Sequence, residues 1–458
     1  MSRSKQLKAY RLVTTVAALI LMLAIGSIAR AQTVGIPGVV ANQPGASLML
    51  PYFEVNLDNL AASNTLFSVT NSSATAVLGH VVVWTDLGVP AVEFNVYFTG
   101  YDLWRMNIGS FLTTGVMDRT ASAGFNQDPN DTISPKGQLS QDINFPGCDG
   151  FLPIPPFTNP QLMGIQNALI GQPSVNYGGK CGGLNHSDRI ARGYITIDTS
   201  SNCSSAFPGD AGYFAAGGTG LATNQNVLFG DSFYISVAKS RAVAQPLVTL
   251  VADATNPATS TPGRYTFYGR YDGWSAADNR QPTSGEFAAR YLNGNSPQGF
   301  NLMNQGSQAI VWRDSKVNQA SFTCGTPPSW YPLNQEGLAV FDEQEHPQVP
   351  AVCQNQPCAP PPSTANLFPA ATQKLPFNST TLLTSFNEGW AYLDLHNNQG
   401  AGNPNPPFDP AAQQAWVIVL YDQGAGAGGN NNSNSWEMGE RAPVLDTAET
   451  PRHNFPPN

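Results

Sequence analysis

The sequence predicts an all-β chain: two antiparallel β-sandwich domains of the Ig-like sort, with long disulfide-stapled loops and at most one or two short helices. Three observations predict it. Apolar residues recur at every second position over short segments, the spacing that gives a strand one apolar face. Turn-forming residues punctuate these segments, with 43 Gly and 37 Pro in 458 residues. Long amphipathic runs between the segments are missing, which disfavours alternating parallel α/β architecture.

In chain order, residues 1–31 read as an export leader. Arg3, Lys5, Lys8 and Arg11 precede the apolar stretch 12–25, and Ala29-Arg30-Ala31 supplies a small-x-small cleavage site. The mature chain is expected to begin at Gln32 and to carry no membrane-spanning segment, since no later apolar run reaches the ~20 residues a helix needs. The strand expected at 92–99 sets Val92, Phe94, Val96 and Phe98 against Glu93, Asn95, Tyr97 and Thr99. That expected at 232–237 sets Phe233, Ile235 and Val237 against Ser232, Tyr234 and Ser236. Further strands are expected at 48–55, 65–70, 76–85, 192–197, 246–251, 309–313, 338–341, 390–395 and 415–421, separated by turns such as Asn71-Ser72-Ser73 and Leu87-Gly88-Val89-Pro90. One helix is expected, capped by Asn159, with Pro160 in its first turn and Gly171 at its end; Leu162, Met163, Ile165, Leu169 and Ile170 give the helical spacing.

These elements place a first sandwich over 32–255, with an irregular insertion at about 118–185. A second follows over 256–458, with a Cys/Pro-rich loop at about 324–378 and a Gly/Asn-rich segment, 424–435, expected to be mobile. The even set Cys148, Cys181, Cys203, Cys324, Cys353 and Cys358 reads as disulfides in an oxidising compartment. Paired C-x-x-C zinc spacings are missing. Three cysteines precede residue 204 and three follow 323, so full pairing needs at least one bridge between the halves.

Composition narrows function by exclusion. Charged residues are only 12% of the chain and the net charge is −9, unlike a nucleic-acid binder working through a basic surface. Removing the leader deletes five basic residues (Arg3, Lys5, Lys8, Arg11 and Arg30) and no acidic one, leaving an exported chain kept apart from its copies by repulsion. Gly424, Gly426 and Gly429 match G-x-G-x-x-G, but a dinucleotide site needs a helix next and an Asn-rich run follows, so no cofactor is expected. Gly178-Gly179-Lys180 lacks the earlier glycine and the Ser/Thr of a phosphate loop. Asp128, Asn130 and Asp131 lack the Gly and closing Glu of a calcium loop. No zincin or nucleophile-elbow signature occurs.

The densest polar run is Asp342, Glu343, Glu345 and His346. Paired carboxylates there could serve glycoside hydrolysis, and Asp342, Glu345 and His346 could hold a cation. The preferred reading is a solvated strand end closed by Pro347. His80, sharing a strand face with Val82 and Trp84, is expected to be a hydrogen-bonded packing residue. His186 is expected in solvent. Trp84, Trp312, Trp390 and Trp416 are expected in the core.

Several segments occur together: Val83-Trp84-Thr85-Asp86, Phe94-Asn95-Val96-Tyr97-Phe98, Arg192-Gly193-Tyr194-Ile195-Thr196-Ile197-Asp198, Tyr265-Thr266-Phe267-Tyr268-Gly269-Arg270-Tyr271 and Val311-Trp312-Arg313-Asp314. In them the chain resembles a group of exported, β-rich proteins of Gram-negative bacteria with no established activity. The resemblance implies export and β-richness and carries no catalytic residue across. The expected role is a non-catalytic binding or structural protein of the cell envelope or extracellular matrix, with an envelope polymer, glycan or protein as partner. The alternative is a secreted glycan-directed hydrolase using Asp342, Glu343 and Glu345.

Overall fold

The computed structural model describes residues 43–118, 148, 151–152, 156–239, 241–252, 266–273, 277–293, 306–315, 319–333, 335, 337–348, 367–395, 414–422 and 437–441. The leader and its cleavage site, Asp128–Asp131, Cys353, Cys358 and the segment 424–435 lie outside them. All the strand pairing described is antiparallel, in four sheets.

The first sheet has the order β4-β3-β6-β1-β9: β1 (Ser47–Asn56), β3 (Val77–Thr85), β4 (Pro90–Phe98), β6 (Ile190–Ser200) and β9 (Val248–Leu250). The second is β5-β2-β7-β8, from β2 (Asn64–Asn71), β5 (Leu103–Asn107), β7 (Leu228–Ser236) and β8 (Arg241–Pro246). The third is β13-β11-β15-β16, from β11 (Gly306–Arg313), β13 (Thr372–Phe377), β15 (Ala415–Asp422) and β16 (Glu437–Arg441). The fourth is β10-β14-β12, from β10 (Glu286–Leu292), β12 (Gly337–Phe341) and β14 (Glu388–Asp394).

The side-chain pattern stacks these sheets in four layers. Leu48, Leu50, Val81, Val83, Ile195 and Ile197 face the second sheet, whose Phe67, Val69, Trp104 and Met106 complete a first core. The alternate residues Met49, Val82, Trp84 and Tyr194 face the other way, onto Ile310, Trp312, Trp416 and Ile418 of the third sheet. The third sheet turns Ala309, Val311, Val417 and Val419 toward Phe287, Tyr291, Ala391 and Leu393 of the fourth. Both inner sheets are therefore buried on both faces. That is why all nine residues of β3, VLGHVVVWT, are buried. Trp84 stacks on Tyr194 at 5.6 Å and Trp312 on Phe267 at 5.3 Å, so this middle layer is largely aromatic. It joins residues on either side of position 255. Each such side chain contributes about 1.5–3 kcal/mol by leaving water.

Two short helices are described. α1 (Ile108–Thr114) begins at Asn107, whose side chain accepts from Ser110 N, and ends at Gly115 in the left-handed region. α2 (Asn159–Leu169) is the expected helix moved by one residue at its start. Thr158 rather than Asn159 is the cap residue, because Thr158 N–H and its hydroxyl both reach Gln161 Oε1, at 3.0 and 2.7 Å. Leu162, Ile165, Leu169 and Ile170 are buried as their spacing predicts, while Met163 is exposed.

Three other expectations shift. In β7 the alternation holds, but Leu228, Gly230 and Ser232 are the buried set, and Phe229 and Phe233 face outward. The strand expected at 246–251 divides, with Pro246 ending β8 and Val248 opening β9. His186 is not simply in solvent: its Nε2 lies 2.9 Å from Oδ2 of buried Asp86.

Among the described residues two disulfides are formed, Cys148–Cys203 and Cys181–Cys324. The second spans 143 residues and is the bridge between halves that parity requires. Among the described residues no helix is long and apolar enough to cross a membrane.

Candidate functional site

Polar chemistry gathers in three places. The first is a row across the first sheet. Asn95, His80, Asp198 and Ser47 stand directly opposite one another on β4, β3, β6 and β1, all on the face toward the third sheet. Asp198 accepts from Ser47 Oγ, from Tyr213 at 2.6 Å and from Tyr268 at 3.1 Å. Arg280 reaches Asp198 at 3.3 Å, Asp278 at 3.4 Å and the Thr223 carbonyl at 3.0 Å, and both ion pairs are sealed from water. Burial pushes the Asp278 carboxyl up to about 6, with Arg280 pulling the other way. Burial also lowers the His80 pKa, opposed by Asn95 and Asp198. His80 donates from Nδ1 to Asn95 Oδ1 at 3.1 Å, so it packs and hydrogen-bonds as expected. This row is buried and links the first sheet to Tyr213, Tyr268 and Arg280.

The second place is the turn after β12. Asp342 accepts from the backbone N–H of Gln344 and His346 and lies 2.9 Å from His346 Nδ1. Desolvation acts to raise its pKa, and these hydrogen bonds outweigh it and hold the carboxyl below its usual range. Glu343 pairs with Arg290 at 2.5 Å, and both are exposed. Glu345 is exposed at a positive φ of 66°. Pro347 bridges back to Phe341 and closes the turn. Asp342, Glu343 and Glu345 thus share a surface turn, where Asp342 fastens the turn itself and Glu343 is paired with Arg290. Among the described residues no group of three or more His, Cys, Asp or Glu is placed to hold a metal ion.

The third place is a groove of about 490 Å³ along the start of edge strand β4. One wall is 89–93. The helix α2 supplies Gln161 and Ile165, and the turn after it supplies Asn176 and Tyr177. Tyr177 is fixed there by its hydroxyl, which donates to the Pro90 carbonyl at 2.9 Å. Phe157 and Phe207 line it too, and Gln319, Ala320 and Ser321 form the far side. That far side is held by the Cys181–Cys324 bridge and by paired backbone bonds between Cys181 and Phe322 at 2.9 Å.

Glu93 lies in this groove, opposite Val82 of β3 and hence on the side of the middle layer. Its carboxyl forms no hydrogen bond or ion pair with another described residue. Burial pushes it up to about 7, offset slightly by its own backbone N–H. Among the described residues that line the groove there is no other Asp or Glu, and no Lys, Arg or His.

No protein-family model, curated protein or solved structure matches the chain. The site therefore rests on its own geometry.

Sequence reasoning saw Glu93 only as one of a polar strand face. The missing signal is tertiary: that face is covered by the second half of the chain. Its charge gives a stability test. Between pH 4.5, the usual value for Glu, and about 7, the folded chain keeps a proton that the unfolded chain has lost. Stability therefore falls as pH rises through this window, and the full cost is present above it. Glu93→Gln is expected to stabilise the chain by about 2 kcal/mol at pH 8 and by almost nothing at pH 4, after allowance for partial solvent screening. Urea unfolding at the two pH values checks this; an equal effect at both would show that the carboxyl is not desolvated.

Proposed function

We propose that the chain is an extracytoplasmic, non-catalytic binding protein of the cell envelope or extracellular matrix, with the β4 groove as its ligand site. The observation that carries this reading is that Glu93 is the single carboxyl among the groove's described lining residues. A pocket of a few hundred Å³ with aromatic walls and a few polar groups is the usual form of a small-ligand site. Acid-base cleavage of a glycoside needs a second carboxyl about 5–9.5 Å away, and the described lining residues contain none. The leader, the disulfides and the likeness to exported proteins support placement outside the cytoplasm. The commitments of Asp342 and Glu343 within and beside their own turn favour binding over the hydrolase alternative.

A screen of the purified mature chain against envelope polymers and glycans tests the reading. Ala320 is exposed on the groove's far side. Ala320→Trp is expected to weaken binding at least tenfold while changing stability within roughly ±0.5 kcal/mol. Undiminished binding would move the ligand elsewhere. Glycan hydrolysis that disappears in Glu343→Gln or Glu345→Gln would replace binding with catalysis.

A further inference from the structure

The groove also carries information about the class of ligand, an inference that rests on the binding reading above. We propose that the β4 groove takes an organic ammonium group, with Glu93 as its counter-ion and with Phe157, Tyr177 and Phe207 beside its hydrocarbon body.

The charge arrangement points this way. Among the described lining residues Glu93 brings the one charge, and no cationic side chain answers it. The remaining lining groups are aliphatic, aromatic, hydroxyl or amide. A carboxylate removed from water gains most from a full opposite charge, because Coulomb attraction grows as the local dielectric falls. A charge-assisted N–H···O bond is also about twice as strong as a neutral one. A sugar hydroxyl would supply only a single hydrogen bond, and an anion would be repelled. Aromatic rings add attraction for an ammonium through their negative faces. The chain's net charge of −9 raises the local concentration of cations before contact. The cavity, about 490 Å³, has room for a small amine or for one long basic side chain.

The shared chemistry has two sources, a free amine or a lysine side chain of a peptide. Calorimetric titration of the mature chain separates them. The small probes are n-butylamine and benzylamine, each paired with its neutral counterpart, 1-butanol or benzyl alcohol. The peptide probe is a capped Ala-Ala-Lys-Ala-Ala, paired with the same peptide carrying norleucine. The expected result is binding of at least one cationic probe at least tenfold tighter than its neutral partner. That preference should vanish in Glu93→Gln, whose fold is checked by its unfolding curve. Binding of the amines alone assigns the site to a small molecule, and binding of the lysine peptide alone assigns it to a side chain; both support the proposal. Equal binding of cationic and neutral partners, or a preference that survives Glu93→Gln, overturns it. So does failure of every probe. If the chain then still binds an envelope polymer in an Ala320→Trp-sensitive way, only the ammonium inference falls; if it binds nothing, the binding reading falls with it.

Discussion

Arg280→Met is expected to destabilise the chain by about 3–5 kcal/mol at pH 8, since removing one partner strands a buried charge. The side chains of Arg280, Asp198 and Asp278 are at most 1% exposed. Without the guanidinium, Asp198 keeps the hydroxyls of Ser47, Tyr213 and Tyr268, and Asp278 keeps the backbone N–H of Tyr268 and Arg280. Those donors satisfy lone pairs but do not neutralise two carboxylates. The loss should shrink at pH 5. Burial already lifts the Asp278 carboxyl to about 6 in the intact cluster, and losing the Arg280 guanidinium removes the largest of the influences that pull it down. A carboxyl with a raised folded pKa favours the folded chain as pH falls, by the linkage relation. Adding Asp198→Asn should recover part of the loss, as removing both charges is less costly than stranding one. Urea unfolding of the single and double variants at both pH values measures each claim. A loss under 1 kcal/mol at pH 8 would mean that water reaches the cluster.

Replacing Cys181 and Cys324 together by Ser should cost about 2–5 kcal/mol, more than the same change at Cys148 and Cys203. The bridges span 143 and 55 residues, and the longer loop loses more chain entropy when closed in the unfolded state. By loop length alone the gap between the two pairs is about 1 kcal/mol. The long bridge also tethers 319–321, the far side of the groove, so ligand binding should weaken with it. Binding that is untouched when this bridge is lost would show that the far wall is held by packing alone. Non-reducing peptide mapping supplies the control that the other bridge is retained.

The strands that the sequence made plain are those with many apolar side chains. β1, β3, β4, β6, β11 and β15 all carry such runs, and five of these six lie inside their sheets. The unexpected strands β5, β10, β13 and β16, and β8 of which only Pro246 fell in an expected strand, are all sheet edges. An edge strand pairs on one side only, so it tolerates Pro and charge: Pro246 in β8, Pro376 in β13, Arg105 in β5. Such segments lose the composition by which strands are recognised. The buried polar row was illegible for another reason. Ser47, His80, Asn95 and Asp198 are far apart in sequence and meet only through register. Glu93 was visible as a residue but not as a site, because its isolation depends on Phe207, Tyr177 and 319–321 closing around it. Trp84, Trp312 and Trp416 are buried as expected, but Trp390 is not in the core. It alternates with the inward-facing Ala391 and Leu393, so it stands half-buried on the other face of the fourth sheet, stacked on Phe341 at 4.1 Å.

The shared aromatic layer also bears on the order in which the protein can be made. Met49, Tyr52, Val82, Trp84 and Tyr194 are synthesised before Phe267, Ile310, Trp312, Trp416 and Ile418, the residues that cover them. Domains tend to fold from the N-terminus as they emerge. A half-made chain with its first two sheets paired would therefore present a sticky aromatic wall, with Cys181 still without its mate. Completion of the third sheet hides that wall and brings Cys324 to Cys181. The interval between those two events is when this chain is most prone to self-association and most in need of a holdase.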